Sequence, residues 1–215
     1  MLSSAFTYLA CVLAAPASPD TLTIPLRQAP PHLDGQLESN EYGLAAIHLP
    51  TASGRVDIWL SRTPGWIHLA AFLPDTSFYW GDDLVISLDP DGSGGARPGA
   101  GDRQWYLRRV LDSTRIFVSS GGRWISAGQE PPALGPVRAD PDWELAANSS
   151  HSGWTVELRI RQGAFATAST APPRLGLRTY NDQPSGWWSW PEPPVGIPAR
   201  RVEQTPDLWI PVRLR

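Results

Sequence analysis

The 215-residue chain carries 18 basic residues, all of them arginine, against 21 acidic residues, which gives a formal net charge of −3. This balance forces no basic face, so the charge excludes the usual electrostatic footprint of a nucleic-acid-binding protein. The length fits one sizeable core, and we expect residues 18–215 to form a single domain.

The first residues of the chain have the features of an export signal. An apolar run from Phe6 to Ala15 is followed by Pro16 and Ala17, which completes a small-residue pattern typical of a secretory cleavage site. We therefore expect residues 1–17 to be a signal peptide. The absence of lysine, with 23 prolines and 19 glycines, is typical of a GC-rich bacterial gene. A signal peptide on a bacterial protein directs it to the periplasm or out of the cell, and we expect the mature protein there.

The single cysteine, Cys11, lies within this apolar segment. Removal of the segment leaves no thiol for a disulfide, a nucleophile or a metal site. The alternative is that Leu9-Ala10-Cys11 is a lipoprotein processing site, which would anchor the protein through Cys11. No later segment has the roughly 18–20 apolar residues of a membrane span, so none is expected.

Short segments in which apolar residues alternate with other residues follow one another along the rest of the chain. This period of two is typical of half-buried strands, and turn-forming residues separate the segments. One helical turn is expected near Gln162 to Ala168. The pattern predicts an all-β, antiparallel β-sandwich. The predicted strands are centred on Val56–Leu60, Ile67–Ala71, Leu84–Leu88, Trp105–Leu107, Ile116–Val118, Trp154–Ile160, Leu175–Leu177 and Leu208–Val212.

Four motifs in order carry a resemblance to a known family. They are an Asp-Gly opening in Pro31–Leu37, a double aspartate that runs into an Asp-Pro-Asp-Gly turn in Asp82–Gly92, a Trp-Thr-x-Glu strand in Trp154–Ile160, and an Asn-then-Trp segment in Arg178–Pro191. Together they resemble the family 9 carbohydrate-binding modules and the related DOMON domains. The resemblance spans Pro31 to Leu214 and implies a β-sandwich of the carbohydrate-binding-module or jelly-roll type.

The resemblance also implies a sugar-binding mode, in which two tryptophans clamp a terminal sugar ring. Trp80 and either Trp187 or Trp188 occupy the places of the clamp, and Arg108 and Asn181 are the implied partners of sugar hydroxyls. An aromatic face covers the apolar C–H side of a pyranose, while polar groups bond its rim.

The chain departs from the family pattern at Ile86, where many relatives carry a glutamate, so one acceptor is expected to be missing from the sugar site. Trp187, Trp188 and Trp190 are expected in a loop rich in proline, glycine and serine. Trp190 matches a packing position of the family. Packing in the core or on a sheet face is expected for Trp59, Trp66, Trp143, Trp154 and Trp209.

The loop that begins at Asp89 offers oxygen atoms at alternate positions. Asp89 and Asp91 are therefore candidate ligands for calcium, a hard cation that prefers oxygen. The alternative is a plain turn in which the same carboxylates bond backbone N–H groups.

The function expected from these residues is non-catalytic glycan binding, with a structural envelope protein that retains no sugar site as one alternative. A glycoside hydrolase needs two carboxylates across the scissile bond. Glu157 is the best acid, but we expect an ion pair with Arg159, and the adjacent Asp82 and Asp83 point to opposite faces. Haem ligation by methionine with histidine or lysine, known in related sandwiches, is disfavoured because the only methionine is Met1 and lysine is absent. The protein is therefore not expected to be an enzyme.

Overall fold

The structure is a computed structural model that describes residues 20–38, 40–127, 142–165 and 168–215. The predicted signal peptide, residues 1–17 with Cys11, lies outside the described residues. Across the described ranges, no helix has the length and apolar character needed to cross a membrane.

The described chain is dominated by strands. Short 3₁₀ helices at Leu111–Ser113, Gln162–Phe165, Ala199–Gln204 and Pro206–Leu208 connect some of them. The strands are β1 (Leu22–Ile24), β2 (Ile47–Thr51), β3 (Gly54–Thr63), β4 (Trp66–Pro74), β5 (Asp83–Asp89), β6 (Arg103–Arg108), β7 (Arg115–Ser120), β8 (Arg123–Ser126), β9 (Trp143–Ser150), β10 (Gly153–Arg161), β11 (Arg174–Asp182), β12 (Ser185–Trp190) and β13 (Ile210–Leu214).

The strands form two sheets that share one core, so the predicted β-sandwich is confirmed. The large sheet has the order β1, β13, β11, β5, β6, β7, β8, and β12 pairs with β11 beside this order. The small sheet has the order β2, β3, β4, β10, β9. Neighbouring strands are antiparallel except β1 and β13, where Leu22 lies beside Val212 in a parallel pair.

The core lies between the two sheets because alternate residues of each strand point inward. Strand β5 contributes Leu84, Ile86 and Leu88, and these residues pack with inward-facing residues of the small sheet such as Val156 and Leu158. Ile86 is 1 % exposed within this core. The side chain at position 86 therefore faces the core and not an outer surface. The expectation that isoleucine at this position removes an acceptor from the sugar site is wrong.

Two local expectations differ from the structure. Residues Ser185–Trp190, expected as a loop, form strand β12, because their backbone pairs with β11 from Leu177 to Asp182. Leu208, expected in a strand, ends a short 3₁₀ helix, and β13 begins at Ile210. The helical turn expected near Gln162 is present as a 3₁₀ helix.

Glu157 on β10 anchors the irregular segment that precedes β2. It is fully buried on the outer side of the small sheet, and its carboxylate accepts hydrogen bonds from the backbone N–H groups of Asp34 (3.0 Å) and Gly35 (2.6 Å) and from the hydroxyl of Tyr42 (2.8 Å). The expected ion pair with Arg159 is wrong, because Arg159 pairs with Glu144 instead.

The Asp-Gly opening motif is explained by the same contact. Gly35 has a φ of +82°, and a Cβ placed there would lie 2.7 Å from the backbone carbon of Ala147, so only glycine fits. Burial raises the pKa of Tyr42, and the adjacent Glu157 raises it further, so the Tyr42 hydroxyl keeps the proton that it donates to Glu157. Two of the sequence motifs therefore form one buried junction.

We expect Glu157→Gln to lower the free energy of unfolding by about 1–3 kcal/mol, because the amide leaves at least one buried donor without an acceptor. Tyr42→Phe should lower the free energy of unfolding by less, because it removes the hydroxyl donor itself and leaves no buried donor without an acceptor. The measurement is urea unfolding at neutral pH. Glu192→Gln, at an exposed carboxylate, is the control and should leave stability unchanged. Equal stability of Glu157→Gln and the control would contradict the anchoring role.

Candidate functional site

The candidate site lies on the outer face of the large sheet, the face turned away from the core. Four residues form a row across neighbouring strands: Trp187 on β12 lies beside Tyr180 on β11, Tyr180 beside Asp83 on β5, and Asp83 beside Arg108 on β6. Paired residues of neighbouring strands project to the same face, so this row brings an indole, a phenol, a carboxylate and a guanidinium group together.

Arg178, on the same face, forms a buried ion pair with Asp83 of this row. Arg178 of β11 and Asp83 are both 1 % exposed, and the Arg178 Nη1 atom donates to the Asp83 Oδ1 atom over 3.1 Å. Arg178 also pairs through its Nε atom with Glu203 of the Ala199–Gln204 helix. The Tyr106 hydroxyl of β6 donates to the Asp83 Oδ2 atom over 2.7 Å. Burial raises the pKa of Asp83 to about 6, although Arg178 and the Tyr106 hydrogen bond act in the opposite direction.

Four aromatic side chains form a connected row over this face, which we name the aromatic platform: Trp80, Tyr79, Tyr180 and Trp187. The distances between ring centres are 5.4 Å from Trp80 to Tyr79, 6.4 Å from Tyr79 to Tyr180 and 4.6 Å from Tyr180 to Trp187. Trp80 is 59 % exposed and Trp187 is 41 % exposed. The two tryptophans are therefore connected by two tyrosines that the sequence analysis did not select.

Arg108 lies against the platform with unused hydrogen-bonding capacity. Its guanidinium carbon is 5.2 Å from the centre of the Trp80 ring and 4.7 Å from that of Tyr106. The Nε atom is buried and has no hydrogen-bond partner in the described chain. Arginine carries five N–H donors, and the side chain as a whole is half-buried, so part of it faces the surface beside Trp80.

Buried polar groups fix the loop that carries Tyr79 and Trp80. The Asp82 carboxylate accepts from the backbone N–H groups of Tyr79 (3.3 Å) and Asp182 (3.2 Å). Arg109 donates to Asp82 over 3.4 Å and also to the carbonyl oxygen of Ser77. Burial raises the pKa of Asp82 to about 6, and the neighbouring Asp75 carboxylate adds to the shift. The position of Trp80 is thus tied to Asp82.

The structure brings three of the five candidate sugar-binding residues, Trp80, Arg108 and Trp187, to this face. The other two point away from it, because adjacent residues of a strand face opposite sides. Trp188 is partly buried and packs against the core. Asn181 is fully buried, and its Nδ2 atom donates to the Ser53 hydroxyl over 3.1 Å.

Five of the other tryptophans pack as expected, and Trp59 on β3 is half-buried. Trp143, Trp154, Trp190 and Trp209 are buried, with exposures of 3 %, 1 %, 6 % and 2 %. Trp66 lies on the outer side of the small sheet, where the guanidinium groups of Arg159 and Arg161 stack on its ring at 4.8 Å and 4.0 Å from the ring centre.

At the predicted calcium loop, the carboxylates bond the backbone of the turn. Asp89 is fully buried and accepts from Gly92 N–H and Gly94 N–H, both over 2.8 Å, and Asp91 accepts from Ser93 N–H over 2.9 Å. Across the residues that the structure describes, no group of three or more His, Cys, Asp or Glu side chains is placed to hold a metal ion. The turn accounts for both aspartates, and calcium stays a prediction.

A further carboxylate lies close to this loop. Asp102 is 1 % exposed, accepts from the Gly99 N–H over 2.7 Å with its Oδ2 atom, and has no partner for its Oδ1 atom in the described chain. Burial raises the pKa of Asp102 to about 7, and the charges of Asp89 and Asp91 add to the effect. This carboxylate gives the Asp89 loop an excess of negative charge at alkaline pH.

One of three comparisons with known proteins, the comparison with solved structures, supports the fold. A scan against protein-family models and a search of curated proteins find no match to this sequence. Among solved structures, a family 9 carbohydrate-binding module from Caldicellulosiruptor kristjanssonii in complex with cellotriose matches with a TM-score of 0.57 and 11% identity, over 91% of this chain and 93% of that one. A family 9 module from the same organism in complex with glucose matches with a TM-score of 0.55 and 12% identity, over 90% and 95%. The chain therefore has the fold of the family 9 carbohydrate-binding modules.

Proposed function

We propose that this protein is a non-catalytic glycan-binding protein of the cell exterior, which binds sugar rings on the aromatic platform. The observation that carries the proposal is Arg108, whose guanidinium carbon lies 5.2 Å from the Trp80 ring centre and 4.7 Å from the Tyr106 ring centre, and whose Nε atom has no acceptor among the described residues. A sugar stacked on Trp80 presents hydroxyl oxygens beside its apolar face, and these oxygens are acceptors for the N–H groups of the half-buried Arg108. The structural neighbours, modules in complex with cellotriose and glucose, support the same ligand class.

The carboxylates of this face favour binding over hydrolysis. Glycoside hydrolysis needs one carboxyl group that protonates the leaving oxygen and a second that acts as base or nucleophile. Asp83 is buried and engaged by Arg178 and Tyr106, and Glu203 is engaged by Arg178. Asp83 and Glu203 are thus held in ion pairs below the rings, and the half-exposed Asp182 accepts from the Tyr180 hydroxyl over 3.4 Å, so this face does not offer the required pair of free carboxylates.

The exposed rings of the platform give the first test. A glycan array with residues 18–215 identifies the sugar class, and titration calorimetry then compares variants. Trp80→Ala and Trp187→Ala should each weaken binding by about 1–3 kcal/mol, because alanine cannot supply the stacking area. The thermal midpoint of Trp80→Ala should change little, since its ring is 59 % exposed, whereas that of Trp187→Ala should fall, since this ring is 41 % exposed and packs on Arg178 and Tyr180.

Trp66→Ala is the matched control, because Trp66 also stacks with arginine but lies on the outer side of the small sheet. It should leave the affinity unchanged. An array without any bound glycan would overturn the proposal and favour a structural envelope protein. Full affinity in both platform variants would place the site elsewhere on the molecule.

The anchor of the Trp80 loop predicts a pH dependence of stability. The folded-state pKa of Asp82, about 6, lies above the unfolded value of about 3.9, so the folded state binds this proton more tightly. The stabilisation that this proton gives to the folded state is fully present below about pH 4 and is lost as the pH rises through about 6.

Asp82→Asn should therefore make the free energy of unfolding less dependent on pH between about pH 4 and pH 6 than in the unsubstituted protein. Urea unfolding at several pH values measures the two slopes. Some dependence should remain in the variant, because burial raises the pKa of Asp83 and Asp102 as well. Identical slopes in the two proteins would show that Asp82 does not carry this proton.

Calcium binding at Asp89 and Asp91 should raise the thermal midpoint, because a ligand that binds only the native state stabilises it by mass action. Asp91→Asn, which can still accept the Ser93 N–H bond, should reduce the rise. The measurement is thermal unfolding in chelator and in millimolar calcium at alkaline pH, where Asp102 is ionised. A midpoint that is equal in both solutions would leave the turn as the only role of these carboxylates.

A further inference from the structure

A groove of about 410 Å³ lies where the edge strands of the two sheets, β2 and β12, approach each other. The segment 192–199 closes its third side. This volume is within the range of small-molecule binding sites in proteins, about 300–1,000 Å³. The groove is not part of the aromatic platform, since its lining residues on β2, such as His48 and Leu49, belong to the small sheet.

Trp187 belongs to both sites. The guanidinium group of Arg178 lies over its ring at 4.3 Å from the ring centre, and Tyr180 packs beside it on the platform. The same indole lines the groove together with Trp188. A molecule bound on the platform at Trp187 can therefore continue into the groove without leaving the protein surface.

The groove combines apolar surface with free polar groups at its rim. Val195 is completely exposed and Ile197 is 37 % exposed. The exposed Glu192 carboxylate makes no hydrogen bond or ion pair with the described residues. His48, half-exposed, engages Asp57 through its Nδ1 atom over 2.6 Å, which leaves its Nε2 atom for another partner.

These features match one ligand class. A pyranose ring has apolar C–H faces for indole and aliphatic side chains, and a rim of hydroxyl groups that donate to a carboxylate or to an imidazole nitrogen. A purely apolar partner would leave Glu192 and His48 without compensation, which costs free energy when they lose water. The groove is therefore suited to carbohydrate.

We infer that the groove binds further sugar units of the glycan whose first unit lies on the aromatic platform, so that the preferred ligand is an oligosaccharide chain and not a single sugar. This inference rests on the proposed function. The chain passes over Trp187, and Glu192 and His48 bond the hydroxyls of the units beyond it.

The test is titration calorimetry with a length series, from the single sugar to the hexasaccharide, of the class bound on the array, beginning with glucose and cello-oligosaccharides. We expect the affinity to rise about tenfold or more between the single sugar and the longer members. In Glu192→Ala and in Val195→Arg that increase should be lost, while the affinity for the single sugar stays the same.

Leu44→Arg is the matched control for Val195→Arg, because Leu44 is 95 % exposed and does not line the groove. It should keep the full increase with length. Affinity that does not change with length, or equal effects of the groove variants on the single sugar and the longer members, would overturn the groove and leave the platform intact. Failure of every series to bind would overturn the proposed function itself.

Discussion

The buried ion pair between Arg178 and Asp83 is the contact on which the outer face of the large sheet depends. Arg178 joins β11 to β5 through Asp83 and to the Ala199–Gln204 helix through Glu203, and its guanidinium group also lies over the Tyr106 and Trp187 rings. Removing one partner of such a pair leaves an uncompensated buried charge, which costs about 3–5 kcal/mol. The pair therefore holds strands, helix and rings in one arrangement.

The small sheet is organised in a similar way on its own outer side. There the buried carboxylate is Glu157, and its partners are backbone N–H groups of Asp34 and Gly35 and the hydroxyl of Tyr42. In both sheets a buried charge outside the main core fixes an irregular segment of chain against the strands. Buried charges are stable only when they are fully bonded, so each one selects a single position for the segment that it holds.

The aromatic platform differs in shape from a clamp of two separate tryptophans. Because Tyr79 and Tyr180 connect Trp80 with Trp187, the rings form one extended surface. The end of this surface at Trp187 continues into the groove beside β2. Under the proposed function, the length of the ligand as well as its type therefore affects binding.

The sequence by itself determined the fold class, because strands such as β3, β4 and β10 bury one face and their residues must alternate with a period of two. It also indicated Trp80, Arg108 and Trp187, whereas the sequence assigned position 86 to the sugar site and only the structure placed Ile86 in the core. Only the tertiary structure showed that Ser185–Trp190 is a strand, which turns Trp188 inward, and that Asn181 on β11 is fully buried. The Glu157 junction likewise joins residues more than 120 positions apart. Such contacts depend on strand pairing across the whole chain, and no local pattern contains that information.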